Sequence, residues 1–354
     1  MNEPSSHPEL PAGRRANLDW FCHAGWGVFC HYLTSVATTA DEWNRRVDRF
    51  DVNALADQLS AVGAPYLFLT IGQGSGHYCA PNETYDRLAG VRPGKCSRRD
   101  LIGDLHAALQ PRGISLMVYA PADGSWADAE ARRGLGLVRH WSDGRQYSWS
   151  EYRLPVFQRN WEDVCRDWAQ RFGRKVRGWW IDGAYHRKER YPEDDPPNLR
   201  TLAQSLRCAN PDAIIAFNSG ANALVVSYTQ HEDFTSGEMI GNLPVCEMGF
   251  YQRFVGDKLP EADYGPVRRW INGRQYHMLN FLGSEWGKGP PRLGADLAAA
   301  YTAFAVERGA VISWDVPIEP SGRIAESFIA HLAAIGRSAD RARQQAQAAV
   351  NRPG

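Results

Sequence analysis

The feature that most constrains this chain is an alternation. Short apolar runs closed by turn residues are each followed by a segment with apolar positions at helical spacing. Residues 26–33 (WGVFCHYL), 65–71 (PYLFLTI), 114–120 (ISLMVYA), 176–182 (VRGWWID), 213–218 (AIIAFN), 276–282 (YHMLNFL) and 310–315 (AVISWD) read as strands. Leu55, Leu59 and Val62 line one intervening helix and Leu101, Leu105 and Leu109 another, with Gly63 and Gly113 as their stops. The sixth strand is the hardest to place; its candidate is residues 231–235 (HEDFT), with Glu238 just beyond. Eight strand-then-helix units argue an α/β fold, a (β/α)8 TIM barrel that is irregular around its sixth repeat. The barrel is expected over residues 18–337, between a polar tail at 1–17 and a second tail at 338–354 that either extends the last helix or frays.

Composition narrows the partners. Lysine plus arginine equals aspartate plus glutamate at 40 each, so no global field favours nucleic acid or an anionic membrane, and a small neutral ligand suits the balance better. The 13 tryptophans and 14 tyrosines are a surplus of flat rings, some of them in loops, where they suit sugar faces. Seven cysteines without a C-x-x-C pair make neither a disulfide framework nor a zinc knuckle. The first twenty residues hold no apolar signal core, and nowhere do eighteen apolar residues run together, so a cytoplasmic protein is expected.

In a barrel the chemistry sits at the C-terminal ends of the strands. The polar residues expected there are His31, Gln73, His77, Tyr119, Asp182, Asn218, Glu238, Asn280 and Asp315. No H-x-H follows the first strand and no two-histidine pair is evident, so no metal or other cofactor is expected. No lysine falls inside a strand, which disfavours Schiff-base chemistry. What remains is carboxylates. Asp182 ends a buried strand and is followed at once by Gly183, which fits a catalytic acid and equally an aspartate capping a βα turn. Asp182 and Glu238 could face each other across the mouth, the pair that glycoside hydrolysis needs, although rim carboxylates also cap loops and pair with arginines. Asn218 either orients Asp182 or satisfies a turn, and residues 283–287 (GSEWG) read as a shaping turn.

Several motifs are specific. Residues 25–32 (GWGVFCHY) resemble the first-strand "FGxFxHW" run of the retaining α-L-fucosidases, glycoside hydrolase family 29, and Glu42-Trp43 resembles its following "EW". Residues 61–70 (AVGAPYLFLT) are similar to "AGAKYxxLT", 99–103 (RDLIG) to "RDLVGEL", 180–183 (WIDG) to "WFDG", and 233–238 (DFTSGE) to "DFxTPE". Residues 307–313 and 320–323 are similar to the closing "KGGNLLLNVGPxxDG", so the resemblance covers about 20–335. It implies a retaining exo-glycosidase acting on a small carbohydrate or glycoside, with Asp182 as nucleophile and Glu238 as acid/base, and Glu247 in reserve. It also implies sugar contacts from His31 and Trp43, although the first reads alternatively as a core histidine and the second equally as packing, and the C-terminal β-sandwich that many relatives append is not expected here. The family's "HHDG" after the second strand reads QGSG here at 73–76, so Gln73 stands where fucose-binding histidines are expected, with His77 able to replace one contact. Tyr119 and Asn218 complete the expected pocket. The alternatives are a carbohydrate-binding barrel with little turnover, favoured by that altered loop, and a transglycosylase.

Overall fold

The computed structural model describes residues 10–137, 153–185, 187–245 and 267–350. Its strands are β1 (Trp26–Cys30), β2 (Tyr66–Thr70), β3 (Ser115–Pro121), β4 (Gly178–Asp182), β5 (Ile214–Phe217), β6 (Trp270–Ile271), β7 (Arg274–Gln275), β8 (His277–Phe281) and β9 (Val311–Asp315). Seven of them form one sheet in the order β5-β4-β3-β2-β1-β9-β8, every neighbour parallel, while β6 and β7 make a separate antiparallel hairpin. The sheet curls as the wall of a TIM-like barrel, flanked by helices such as Val52–Ala61, Leu101–Leu109, Pro155–Phe172, Leu199–Leu206 and Ala295–Glu307.

The expected sixth strand is a series of isolated parallel bridges, Phe234 with Gln275 and Glu238 with Leu279, so no regular eight-strand ladder forms among the described residues. The segment nonetheless lies between the sheet's two end strands. Asp233 N–H donates to the Ile215 carbonyl at 2.7 Å, and Leu279 N–H donates to Gly237 O at 2.9 Å. The irregularity has local causes. The Thr235 hydroxyl donates to His277 O at 2.8 Å and accepts from His277 N–H at 2.9 Å, standing in for backbone ladder bonds. Gly237 takes φ +62°, and a Cβ there would sit 2.0 Å from the His277 carbonyl oxygen.

Period two along the strands sorts side chains into two cores. Phe29, Tyr66, Phe68, Met117, Tyr119, Trp180, Ile214, Ala216, Phe234, Leu279 and Val311 fill the barrel interior. Their neighbours Val28, Leu67, Val118, Trp179, Ile215 and Ile312 pack outward against the helices. Gly27 makes room for the Tyr66 ring, whose hydroxyl shares a 2.9 Å hydrogen bond with Ser313. The same parity carries the inward face up to His31, two residues beyond Phe29, and to Asp182, two beyond Trp180.

The N-terminal end departs from the tail expected there. Residues 1–9 lie outside the described residues, but Ala12–Ala16 form a helix, and Arg14 and Arg207 both pair with buried Asp233 at 2.5 Å. At the other end the helix Ile329–Val350 runs unbroken past residue 338. After β3 the chain forms a helix, Ala129–Leu135, because the Asp128 carboxylate accepts from the Glu130 and Ala131 N–H groups and Leu135 is buried; residues 138–152 lie outside the described residues.

Glu232, at the start of the sixth segment, is fully buried and accepts from Tyr228 N–H at 2.6 Å. Burial pushes its carboxyl up to about 8, against the Tyr228 N–H and Arg274, which favour the charge. A raised carboxyl binds its proton more tightly folded than unfolded. Its stabilisation is therefore full below the ordinary glutamate range and is lost as pH rises towards 8. Glu232→Gln keeps the accepting oxygen, and urea midpoints measured across that window are expected to decline less with pH than in the parent.

Candidate active site

The mouth of the barrel is built from strand ends. Asp182, the last residue of β4, is half-buried and surrounded by donors. Its Oδ1 accepts from Asn218 Nδ2 at 2.8 Å and from the Tyr185 hydroxyl at 3.1 Å. Its Oδ2 accepts from the Tyr119 hydroxyl at 2.6 Å and from Gln73 Nε2 at 3.4 Å, and that same Gln73 nitrogen reaches the Tyr119 oxygen at 2.6 Å. Tyr119 is held flat against Trp180 with ring centroids 5.4 Å apart. Burial raises both phenols well above their ordinary range, and the Asp182 charge adds to this, so each hydroxyl keeps its proton and donates.

Asn218 joins the two acids. It is fully buried, its Oδ1 accepts from Gly220 N–H at 3.0 Å, and its Nδ2 donates to Asp182 Oδ1 at 2.8 Å and to Glu238 Oε2 at 2.5 Å. Both amide hydrogens are thus committed to carboxylates, and the two acceptor oxygens lie no more than about 5.3 Å apart. Gly237, pressed against β8, aims Glu238 to this point. Burial and then the neighbouring Asp182 charge push the Glu238 carboxyl up to about 7, opposed by the Asn218 hydrogen bond and by His31. Two acids side by side, one held towards its protonated form, are the arrangement that divides labour between a proton donor and a nucleophile.

His31, just beyond β1, completes the cluster. Its Nδ1 lies 2.8 Å from Asp315 Oδ1 at the end of β9, and its ring meets Tyr119 at 6.0 Å and Trp286 at 6.1 Å between centroids. The structure therefore brings together Asp182, Glu238, His31, Gln73, Tyr119, Asn218 and Asp315. Two partners of this group, Tyr185 and the half-buried Trp286, were not anticipated. Both sit in loops, where no periodicity marks a residue's direction, and the only signal was an aromatic side chain within a few residues of a strand end.

Three expected residues stand apart. Trp43, expected against the sugar, is 1 % exposed in the helix Ala40–Asp48; its indole N–H donates to Tyr78 O at 3.0 Å and its ring packs on Tyr32. The "EW" pair is accounted for by folding: Thr39 and Glu42 form a reciprocal capping box, and Trp43 is core. Trp43→Ala is expected to cost about 3–5 kcal/mol in denaturant unfolding, and Trp43→Phe to leave sugar affinity unchanged. His77 is also turned inward, edge-on to Trp43 at 5.9 Å, and burial followed by Lys95 lowers its ring to about 4, leaving it neutral. Asn280 is spent on structure, donating to Asn242 O and accepting from Arg292, both at 2.8 Å. Glu247 lies outside the described residues. Among the described residues no group of three histidine, cysteine or acidic side chains is placed to hold a metal ion, and no helix is long and apolar enough to cross a membrane.

No protein-family model matches the sequence, and no curated protein matches it. Solved structures do. An endo-fucoidan hydrolase of glycoside hydrolase family 107 superposes with a TM-score of 0.63 at 14% identity, over 91% of this chain and 92% of its own. An α-L-fucosidase of family 29 from Bacteroides thetaiotaomicron, trapped as a covalent intermediate with 2-fluoro-fucosyl fluoride, gives 0.58 at 14% identity over 96% of this chain and 76% of its own. A fucosyltransferase mutant of the α-L-fucosidase AlfC gives 0.58 at 16% identity over 93% and 99%. At such identities the likeness establishes the fold, a TIM-like barrel of the kind that both glycoside hydrolase families use.

Proposed function

We propose that this protein is a retaining exo-glycosidase that works through a covalent glycosyl-aspartate. The observation that carries this reading is the single amide of Asn218 bonded to both Asp182 and Glu238. It keeps one oxygen of each acid within about 5.3 Å of the other, which supports the close pairing of retaining enzymes, roughly 5–5.5 Å, over the roughly 6.5–9.5 Å that leaves room for a water in inverting ones. In the first step the anomeric carbon gains a bond to an Asp182 oxygen and loses its bond to the leaving oxygen, which takes the proton of Glu238. In the second, Glu238 removes a proton from water, the water oxygen bonds the same carbon from the face the leaving group vacated, and Asp182 departs as carboxylate. Tyr119, Tyr185 and Asn218 serve by fixing Asp182 beneath the ring and by stabilising it as it leaves.

The neighbours' titles name fucose-acting enzymes, which supports a sugar of that kind. The reaction class is nonetheless proposed without commitment to L-fucose, because Gln73 replaces an expected histidine and His77 faces the core. The test is a panel of aryl glycosides spanning L-fucose, D-galactose and L-arabinose in both anomeric forms. Release of aryl alcohol with retained configuration supports the reading. Binding without release, or an inverted product, refutes it.

A further inference from the structure

His31 is held unlike the other residues of the mouth. Asp315 has no exposed surface, and both its oxygens are taken: Oδ1 by His31 Nδ1 at 2.8 Å and Oδ2 by the Gly287 N–H at 2.5 Å. Three parts of the barrel meet here, namely the ends of β1 and β9 and the loop after β8. Gly287 adopts φ +62°, and a Cβ on it would lie 3.1 Å from the His31 Cβ, so the approach of that loop depends on glycine. The imidazole is wedged among Phe29, Tyr119 and Trp286, at 4.9, 6.0 and 6.1 Å between ring centroids. With Nδ1 taken and the ring packed, Nε2 is the one polar atom of His31 left to a ligand.

We propose that Asp315 is a positioning residue for the proposed glycosidase: it holds His31 as a doubly protonated imidazolium whose Nε2–H is donated to an acceptor oxygen of the bound sugar. The inference rests on the glycosidase reading only for the identity of that ligand. The charged groups facing His31 are Asp315 from β9, Asp182 from β4 and Glu238 from the sixth segment, with the Tyr119 phenol from β3 and only the Trp286 ring and Gly287 N–H from the loop after β8. Burial works against the charge on the ring, but Asp315, by charge and hydrogen bond, outweighs it with help from the two acids, and the imidazole pKa is raised. A charged donor makes a stronger bond to a hydroxyl oxygen than a neutral one.

The backbone N–H of Gly287 makes the test clean, because it can only donate. In Asp315→Asn it retains the amide oxygen, which turns the NH2 towards His31 Nδ1 and restricts the ring to its neutral Nε2–H tautomer. Titration of 15N-labelled imidazole in the parent protein is expected to give a His31 midpoint above the free value of about 6.5. A midpoint at or below that value overturns the proposal. In Asp315→Asn the midpoint is expected to fall by about one unit or more, and KM to rise about tenfold with kcat little changed, the split that marks lost binding common to ground and transition states. An unchanged midpoint in the variant, or a loss confined to kcat, overturns it. If the variant does not fold, the parent titration decides alone. If no glycoside is turned over, the glycosidase reading fails while the titration still decides whether Asp315 holds the charge.

Discussion

Asp182→Gly is expected to lower kcat/KM by about four orders of magnitude or more on every glycoside the parent hydrolyses, with the fold intact. The size of the effect follows from what the carboxylate is placed to do. Four donors, Tyr119 on β3 and Gln73, Tyr185 and Asn218 just beyond the ends of β2, β4 and β5, converge on its two oxygens, so its direction is fixed by the barrel rim and not by the sugar. Removing the side chain leaves those donors facing a space open to solvent, which water can satisfy, so the loss falls on turnover and not on stability. Azide added to this variant should enter that space, attack the anomeric carbon of an activated aryl glycoside and give a glycosyl azide of inverted configuration. With the parent enzyme, an activated 2-fluoro sugar should leave its label on the peptide containing Asp182. A label on another residue, or an azide product of retained configuration, would remove Asp182 from the role.

What the sequence showed of this site, and what it hid, divides along a physical line. The strand ending in Asp182 is readable because its residues are apolar on both faces and its turn glycine follows at once; the parity of Trp180 then places Asp182 inside. His31 and Tyr119 follow by the same parity from Phe29 and Met117. The sixth repeat resists that treatment because Thr235 makes ladder bonds with its side chain and Gly237 breaks the extended backbone, so neither alternation nor strand propensity survives there. The Asn218 bridge is hidden for another reason: it depends on where the sixth segment lies beside β5, a register that no local pattern encodes. Trp43 lies in the core because a motif preserves residue types and not directions. In this chain the tryptophan after the capping-box glutamate belongs to a helix whose buried face already needs it.

Glu238→Ala is expected to separate substrates by their leaving groups. Hydrolysis of glycosides with alkyl or sugar leaving groups should fall by about 10²–10⁴-fold, because those oxygens cannot depart without a proton, while activated aryl glycosides should keep a near-parental first step. The second step still needs a base, so aryl substrates should show a burst followed by slow turnover, and azide should restore the rate with a glycosyl azide of retained configuration. The pH profile supplies the independent check. The parent Glu238 carboxyl is held near 7 by burial and by Asp182, and an acid must carry its proton to act, so kcat/KM should decline as pH rises through about 7. In Glu238→Ala that limb should shrink on activated substrates to the roughly tenfold decline that deprotonation of His31 leaves. Equal losses on activated and unactivated glycosides, or an alkaline limb that keeps its full depth after the substitution, would show that the proton comes from another group, and the shared amide of Asn218 would then be no more than a brace between two segments.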